Sequence, residues 1–156
     1  MHGDPAVIEL LNDVLTSELT AINQYFVDSK MCDNWGFPRM AKHFYDESID
    51  EMKDADDLIE RILFLDGMPN LQRLGTVRVG ETVLEKLELA LALEREAIAR
   101  LNAGIATCSN AGDNGSRELL EHILEGEEEH ADWLEGQLSA LSTVGVENYL
   151  AQQLHD

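Results

Sequence analysis

The segment ESIDEMKDADD, residues 47–57, places six acids, one lysine and one methionine in eleven positions. Such a charged run usually forms the solvated face of a helix. Glu47, Glu51 and Asp54, however, are spaced four and three residues apart, which puts their side chains on one line of an α-helix. The same steps reach apolar residues before and after the segment: Met40, Phe44, Leu58, Ile62 and Leu65. The segment therefore predicts a helix whose core face carries carboxylates.

Three other predicted helices show the same pattern. In each, apolar residues at steps of three and four form a line that a polar side chain interrupts near its middle. The interruptions are Glu18, Glu94 and the pair Glu127 and His130. A buried carboxylate without a partner costs several kcal/mol or takes up a proton. Polar interruptions at similar depth in four helices therefore indicate a shared cation.

Proline, glycine and capping residues divide the chain into these helices. Residues 66–81 hold three glycines and one proline, so we expect a long irregular crossover there. No stretch alternates apolar and polar residues as a strand would. We predict an all-α protein, a four-helix bundle that fills a single domain over 1–156 and ends in a short fifth helix. The helices are expected over about 4–34, 38–65, 82–111, 114–143 and 146–154.

Charge and composition exclude several function classes. The 156 residues include 31 acids against 11 lysines and arginines, and this net charge of −20 argues against nucleic-acid binding. No run of about 18 apolar residues is present, so we expect no membrane span. The first residues, MHGDPAVIELL, do not resemble a secretory signal. Cys32 and Cys108 stand far apart and outside any CxxC motif, which favours inert thiols and the cytoplasm.

The donor types narrow the choice of metal. Carboxylates and imidazole without thiolate suit iron or manganese, with zinc as a competitor. One glutamate from each of two helices, plus a Glu-x-x-His pair from each of the other two, is the di-iron arrangement of ferritin-like bundles. Glu18 and Glu94 are the lone glutamates, and Glu127 and His130 form one complete pair. The second pair, Glu51 and Asp54, has aspartate where the scheme expects histidine.

The whole chain resembles bacterioferritin, the haem-containing branch of the ferritin family. The similarity is carried by the Glu94 helix and by NDVLTSELTAINQYF (12–26), YDESIDEMKDADDLIERILFLDGMPNLQRLG (45–75), EEEHADWLEGQL (127–138) and GVENYL (145–150). The resemblance implies iron storage: a 24-mer shell, built of dimers, that oxidises Fe(II) with O2 or peroxide and keeps a ferric mineral core. It also implies the ferroxidase ligands, matched by position: Glu18, Glu51, Glu94, Glu127 and His130.

Asp54 is where this chain departs from the family, which usually has a histidine ligand there. Asp54 remains the sixth candidate metal ligand, because its carboxylate can bind a metal directly or through water. Aspartate is, however, shorter than histidine and adds a negative charge beside Glu51. We therefore expect it to weaken iron oxidation more than metal binding. Two alternatives stay open: a homo-oligomeric ferroxidase, or a haem-binding subunit of a hetero-oligomer whose second bacterioferritin subunit carries out the oxidation.

Met52 lies about 100° around the helix from Glu51 and therefore faces away from the ligand line. Tyr45 and Ile59 share its face, and an outward apolar line predicts a partner helix and a dimer interface. The resemblance implies that Met52 from two subunits ligates one haem b, which would exchange electrons with a donor such as a ferredoxin. An ordinary interface methionine is the alternative. Residues on the neighbouring face would line the haem pocket: Leu19, Asn23 and Phe26.

Other candidates have weaker signals. Tyr25 lies on the Glu18 line, either as an electron donor to the site or as a core tyrosine. Asp46 and Asp50 adjoin the ligand line and, with Glu47, are candidate auxiliary iron ligands; a solvated acidic face is the alternative. The nearby His43 lies one turn before Asp46 and Glu47. The remaining histidines show no constellation and are expected on the surface: His2, His122 and His155.

Overall fold

A computed structural model describes residues 1–155. Within this range the chain forms five helices and no strand, which confirms the predicted all-α class. Four long helices form the bundle and a short fifth helix follows them. The helices are α1 (Pro5–Asn34), α2 (Pro38–Phe64), α3 (Val83–Asn110), α4 (Asn114–Val144) and α5 (Val146–Gln152).

Side-chain caps fix where α1 and α3 begin. Asp4 Oδ1 accepts a hydrogen bond from the Ala6 N–H at 2.8 Å and starts α1. Thr82 Oγ1 accepts from the Glu85 N–H at 3.1 Å and starts α3. The Glu85 carboxylate in turn accepts from the Glu81 N–H at 2.7 Å, one residue before its partner in the usual capping box.

The crossover between α2 and α3 is held against α1. The Asn70 N–H donates to Asn12 Oδ1 at 2.8 Å, and Arg73 pairs with Asp13 at 2.7 Å. Further along, the Gly75 N–H donates to Thr20 Oγ1 at 2.9 Å. The chain therefore runs along α1 from the end of α2 to the beginning of α3, which makes α2 and α3 parallel.

The apolar core is divided into two clusters. One, the Phe44 cluster, also contains Leu87 and Leu134, and the other, the Leu58 cluster, also contains Leu11 and Leu120. Along each long helix, residues of the two clusters lie on either side of a buried glutamate. The bundle therefore has a polar layer between two apolar ones.

Two further observations bear on the expectations from composition. Burial raises the pKa of Cys32 to about 12 and that of Cys108 to about 11, so both thiols stay protonated. Among the helices of the described residues, none combines the length and apolar character that crossing a bilayer requires.

Candidate metal centre

The polar layer contains one buried glutamate from each long helix: Glu18, Glu51, Glu94 and Glu127. Carboxylate oxygens of Glu18, Glu51, Asp54 and Glu127 all lie within 4.8 Å of one another. The structure thus brings together the four lines that sequence spacing placed on core faces. A cation at this point would be surrounded by carboxylates from different helices.

The buried carboxyl groups are hydrogen-bonded to one another, from Glu18 to Glu51, Glu127 and Glu94. Burial raises the pKa of Glu18, Glu51 and Glu127 well above the usual value, and repulsion from neighbouring carboxylates adds to this. Carboxyl groups can bond to each other only when some of them carry a proton. The raised pKa values therefore favour protonated carboxyl groups where no cation offsets the buried charge.

Glu94 behaves differently from the other three glutamates. Burial works to raise its pKa, but hydrogen bonds from Glu127 and His130 outweigh burial and hold the pKa below the usual value. His130 Nδ1 lies 2.9 Å from Glu94 Oε1, and the Tyr25 hydroxyl donates to the same oxygen. Tyr25 lies on the Glu18 line in sequence, yet its hydroxyl contacts the carboxylate of α3. Glu94 is therefore the ionised member of the centre.

Two oxygens of the centre lack partners. Glu18 Oε2 and Glu94 Oε2 are buried and accept no hydrogen bond from any described residue. A buried polar atom without a partner costs about 1–3 kcal/mol. A cation would bind both oxygens, and hard oxygen donors with one imidazole suit iron. The residues present therefore fit a metal ion.

Asp54 lies half-buried at the edge of this centre. Burial raises its pKa to about 7, and the nearby His122 works in the opposite direction. The structure does place His122 on the surface, as expected, but next to Asp54. Helical spacing could not show this, because His122 is five residues before Glu127 and so lies off its line.

A second group of ligand atoms adjoins the centre and consists of His43, Glu47 and His130, within 4.8 Å of one another. His43 Nε2 lies 3.0 Å from His130 Nε2, and Glu47 Oε2 lies 3.5 Å from His130 Nδ1. Burial raises the pKa of Glu47 to about 7 and lowers that of His43 to about 3. His130 thus contacts both other members of this group as well as Glu94 of the centre.

An open cavity of about 680 Å³ joins the two groups to the surface. Acidic and histidine side chains from both groups line it: His43, Glu47, Glu51, Asp54, Glu127 and His130. His122, which belongs to neither group, also lines it. A hydrated cation can therefore enter the cavity and reach the centre, because the carboxylates that line the cavity attract positive charge.

The other acidic candidates are on the outside. Asp46 and Asp50 are exposed and lie 2.6 Å from Lys42 Nζ and 3.9 Å from Lys53 Nζ. Among the described residues, neither aspartate belongs to a group of ligand atoms, although Asp50 lines the cavity. His2 and His155 are also exposed.

The opposite side of α2 carries the predicted interface residue. Met52 is 53% exposed, and Tyr45 and Phe26 beside its face are exposed as well. Ile59 is half-buried against the Leu58 cluster. On the neighbouring face of α1, Leu19 is half-buried and Asn23 is exposed. Large apolar side chains exposed together mark a surface that a partner covers.

Comparison with known proteins agrees with this architecture. The sequence matches the ferritin-like domain family over residues 8–144. It is 53% identical over 152 residues to bacterioferritin BfrA of Mycobacterium tuberculosis, covering 97% of this chain and 96% of that protein. The bacterioferritin of Streptomyces coelicolor is 48% identical, covering 97% of this chain and 90% of its own. That of Brucella melitensis is 44% identical, covering 96% and 92%. The chain therefore belongs to the bacterioferritins, within the ferritin-like domain family.

Proposed function

We propose that this protein stores iron. Fe(II) would reach the centre through the cavity, be oxidised there, and be kept as ferric mineral inside a shell of many copies, with a 24-mer of paired subunits as the expected assembly. The observation that carries the proposal is the layer of four buried glutamates, two of which keep an oxygen without a hydrogen-bond partner among the described residues. Such a layer is unfavourable unless a cation completes it.

Each residue of the centre has a definite role in this proposal. Five side chains would hold a pair of iron ions: Glu18, Glu51, Glu94, Glu127 and His130. Two Fe(II) would give up one electron each, and these two electrons, with two protons, would reduce O2 to hydrogen peroxide or hydrogen peroxide to two waters. Burial raises the pKa of Glu18, Glu51 and Glu127, and cation binding would favour their ionised forms, since a ligand must be ionised. The hydroxyl of Tyr25 keeps Glu94 oriented, and this tyrosine is also the candidate one-electron donor to the centre.

Stopped-flow measurement of Fe(II) oxidation tests the proposal. The purified oligomer should oxidise Fe(II) faster than autoxidation in buffer, and Glu18→Gln should remove the difference. Glu125→Gln is the matched control, because Glu125 lines the same cavity but belongs to neither group of ligand atoms. A wild-type rate equal to autoxidation at every iron concentration would contradict ferroxidase activity in the homo-oligomer.

The same measurement of Fe(II) oxidation can test the effect of Asp54. Its carboxylate lies within 4.8 Å of ligand atoms of Glu18, Glu51 and Glu127 and adds negative charge where the family usually has histidine. We propose that Asp54→His raises the oxidation rate of the homo-oligomer. No gain would show that this position does not limit the rate.

A second candidate function rests on the exposed Met52. A haem b between the Met52 side chains of two paired subunits would pass electrons, from a donor such as a ferredoxin, towards the stored iron for its release. In that case a second, ferroxidase-competent bacterioferritin subunit would supply the oxidation. The exposed apolar surface around Met52 supports this candidate, because two thioether ligands leave haem iron suited to electron transfer.

The visible spectrum of the purified protein tests the haem. Protein produced with haem supplied should show a Soret band that Met52→Ala abolishes. Met68→Ala is the control, because Met68 is also exposed but lies on the crossover. An unchanged spectrum in Met52→Ala would exclude this methionine as the ligand. A haem-containing homo-oligomer that oxidises iron only after mixing with a second subunit would favour the second candidate.

A further inference from the structure

We propose that His43, Glu47 and His130 form a separate site for one divalent cation, beside the carboxylate centre. The inference deepens the proposed function, because the cation in the cell would be Fe(II) on its way to that centre. Binding itself does not depend on oxidation, so a redox-inert cation can test the site.

The helices place the three ligands on facing sides. His43 and Glu47 are one turn apart on α2, so both side chains project towards α4, where His130 lies. The nitrogens His43 Nε2 and His130 Nε2 are 3.0 Å apart. Two imidazole nitrogens bound to one tetrahedral zinc at their usual distances lie about 3.3 Å apart. A shift of a few tenths of an ångström would therefore admit a cation between them.

Packing holds the first of these imidazoles in place. The ring of Trp133 stacks on that of His43, with centroids 3.5 Å apart and planes 13° from parallel. His43 and Trp133 also line the cavity, so the stacked pair forms part of its wall. A ligand whose ring is already oriented loses little entropy when it binds a cation. The site is therefore preorganised, unlike the exposed carboxylates of Asp46 and Asp50.

His130 connects the two sites through its two ring nitrogens. Nδ1 lies 2.9 Å from Glu94 in the centre, whereas Nε2 faces His43. A neutral imidazole has one free lone pair, so it binds one cation at a time. A cation held by His43, Glu47 and His130 must therefore release His130 before His130 ligates a metal in the centre. The new site acts as a transfer site that fills first and empties as the centre fills.

Co²⁺ binding separates the new site from the centre. In a background with Glu18→Gln and Glu127→Gln, the centre loses two ligands, and we expect one Co²⁺ per chain with a visible d–d band. Adding His43→Gln should abolish that band and the bound ion. Adding His122→Gln instead should leave both unchanged, because His122 lines the cavity but does not belong to the group.

Crystals of the wild-type protein soaked in Co²⁺ give an independent measurement that needs no variant. We expect an anomalous peak within bonding distance of His43 Nε2. Absence of that peak at saturating Co²⁺ would overturn the inference. Equal Co²⁺ binding by the two variants made in the Glu18→Gln, Glu127→Gln background, one with His43→Gln and one with His122→Gln, would overturn it as well. A peak at His43 with none among the glutamates would support this site and count against the proposed function instead.

Discussion

Among the described residues, the buried ionisable polar side chains fall into two groups, which balance buried charge in different ways. Lys86 and Asp28 are both fully buried, and Lys86 Nζ lies 2.9 Å from Asp28 Oδ1. The metal centre buries four glutamates and only one imidazole. The first group thus contains its own counter-charge, whereas the second has none of comparable strength and would gain one from a bound cation, as proposed above.

The ionisation of the two groups reflects this difference. Burial raises the pKa of Asp28 to about 6, but the Lys86 ammonium opposes burial and keeps the carboxylate charged at neutral pH. In the centre, burial is opposed by no such cation and raises the pKa of Glu18, Glu51 and Glu127 well above the usual value. The pair therefore contributes to folding alone, and the centre is open to binding.

Lys86→Met should have the largest effect, because it removes the counter-charge that distinguishes the Lys86–Asp28 pair from the centre. It leaves Asp28 buried without its partner, which turns a self-contained pair into an uncompensated carboxylate. We expect the free energy of unfolding to fall by about 3–5 kcal/mol, measured by denaturant titration of metal-free protein. Adding Asp28→Leu should restore most of the loss, because it removes the unpaired charge. A single variant as stable as the wild type would show that the pair is dispensable.

Cation binding should have the next largest effect, and it should act on the centre and not on the Lys86–Asp28 pair. A redox-inert ion such as Zn²⁺, at a concentration one hundred times its Kd, should stabilise the folded protein by about 2.7 kcal/mol. Zn²⁺ should stabilise the Lys86→Met variant by the same amount, because that substitution lies outside the centre. The increment should be reduced in Glu51→Gln, which removes a carboxylate from the centre. Equal stabilisation of both variants would place the bound ion elsewhere.

The sequence predicted the centre better than the pair, for a reason that helical spacing explains. Glu94 stands out because it interrupts a line of large apolar residues. Lys86 also lies at steps of three and four from buried Val83 and Ala90, so the same test could have found it. Its partner Asp28, however, lies on another helix. Which residues of different helices meet depends on how the helices rotate in the bundle.

The same limit applies to the second group of ligands. The sequence places His43 close to Asp46 and Asp50 on one helix. Spacing along that helix alone cannot predict which of the three side chains is exposed and which faces a neighbouring helix. The structure directs His43 towards His130 of α4 and leaves both aspartates exposed. The fold class was easier to predict, because glycine, proline and apolar periodicity act within each helix and need no knowledge of its neighbours.

The acids of the two ligand groups should also make stability depend on pH, with a smaller effect than cation binding. Burial raises the pKa of Asp54 and Glu47 to about 7, above their values in the unfolded chain. Between about pH 4 and pH 7 the folded state therefore binds more protons than the unfolded state. Protonation of these two acids should stabilise metal-free protein at the lower end of this window, and the protein should lose a few degrees in Tm as the pH rises through it. His43, whose pKa burial lowers to about 3, acts in the opposite direction and reduces this loss.

A bound cation should remove that loss, because it replaces the protons that the acids would otherwise need. The control is the doubly substituted protein Asp54→Asn and Glu47→Gln, whose Tm should change less with pH over the same range. A metal-free wild-type Tm that rises from pH 5 to pH 7 would contradict the proposed protonation of these acids.

The smallest expected effect is the loss of stability when a buried tyrosine hydroxyl, and with it one hydrogen bond, is removed. Tyr25 donates to the ionised Glu94, whereas Tyr149 donates to the neutral amide oxygen Gln137 Oε1 at 2.6 Å. Hydrogen bonds to charged groups are the stronger kind. Tyr25→Phe should therefore cost about 1.5 kcal/mol of unfolding free energy and Tyr149→Phe about 1 kcal/mol. Zn²⁺ should shrink the first cost but not the second, because only Glu94 gains a new partner, and equal responses to Zn²⁺ would refute this assignment.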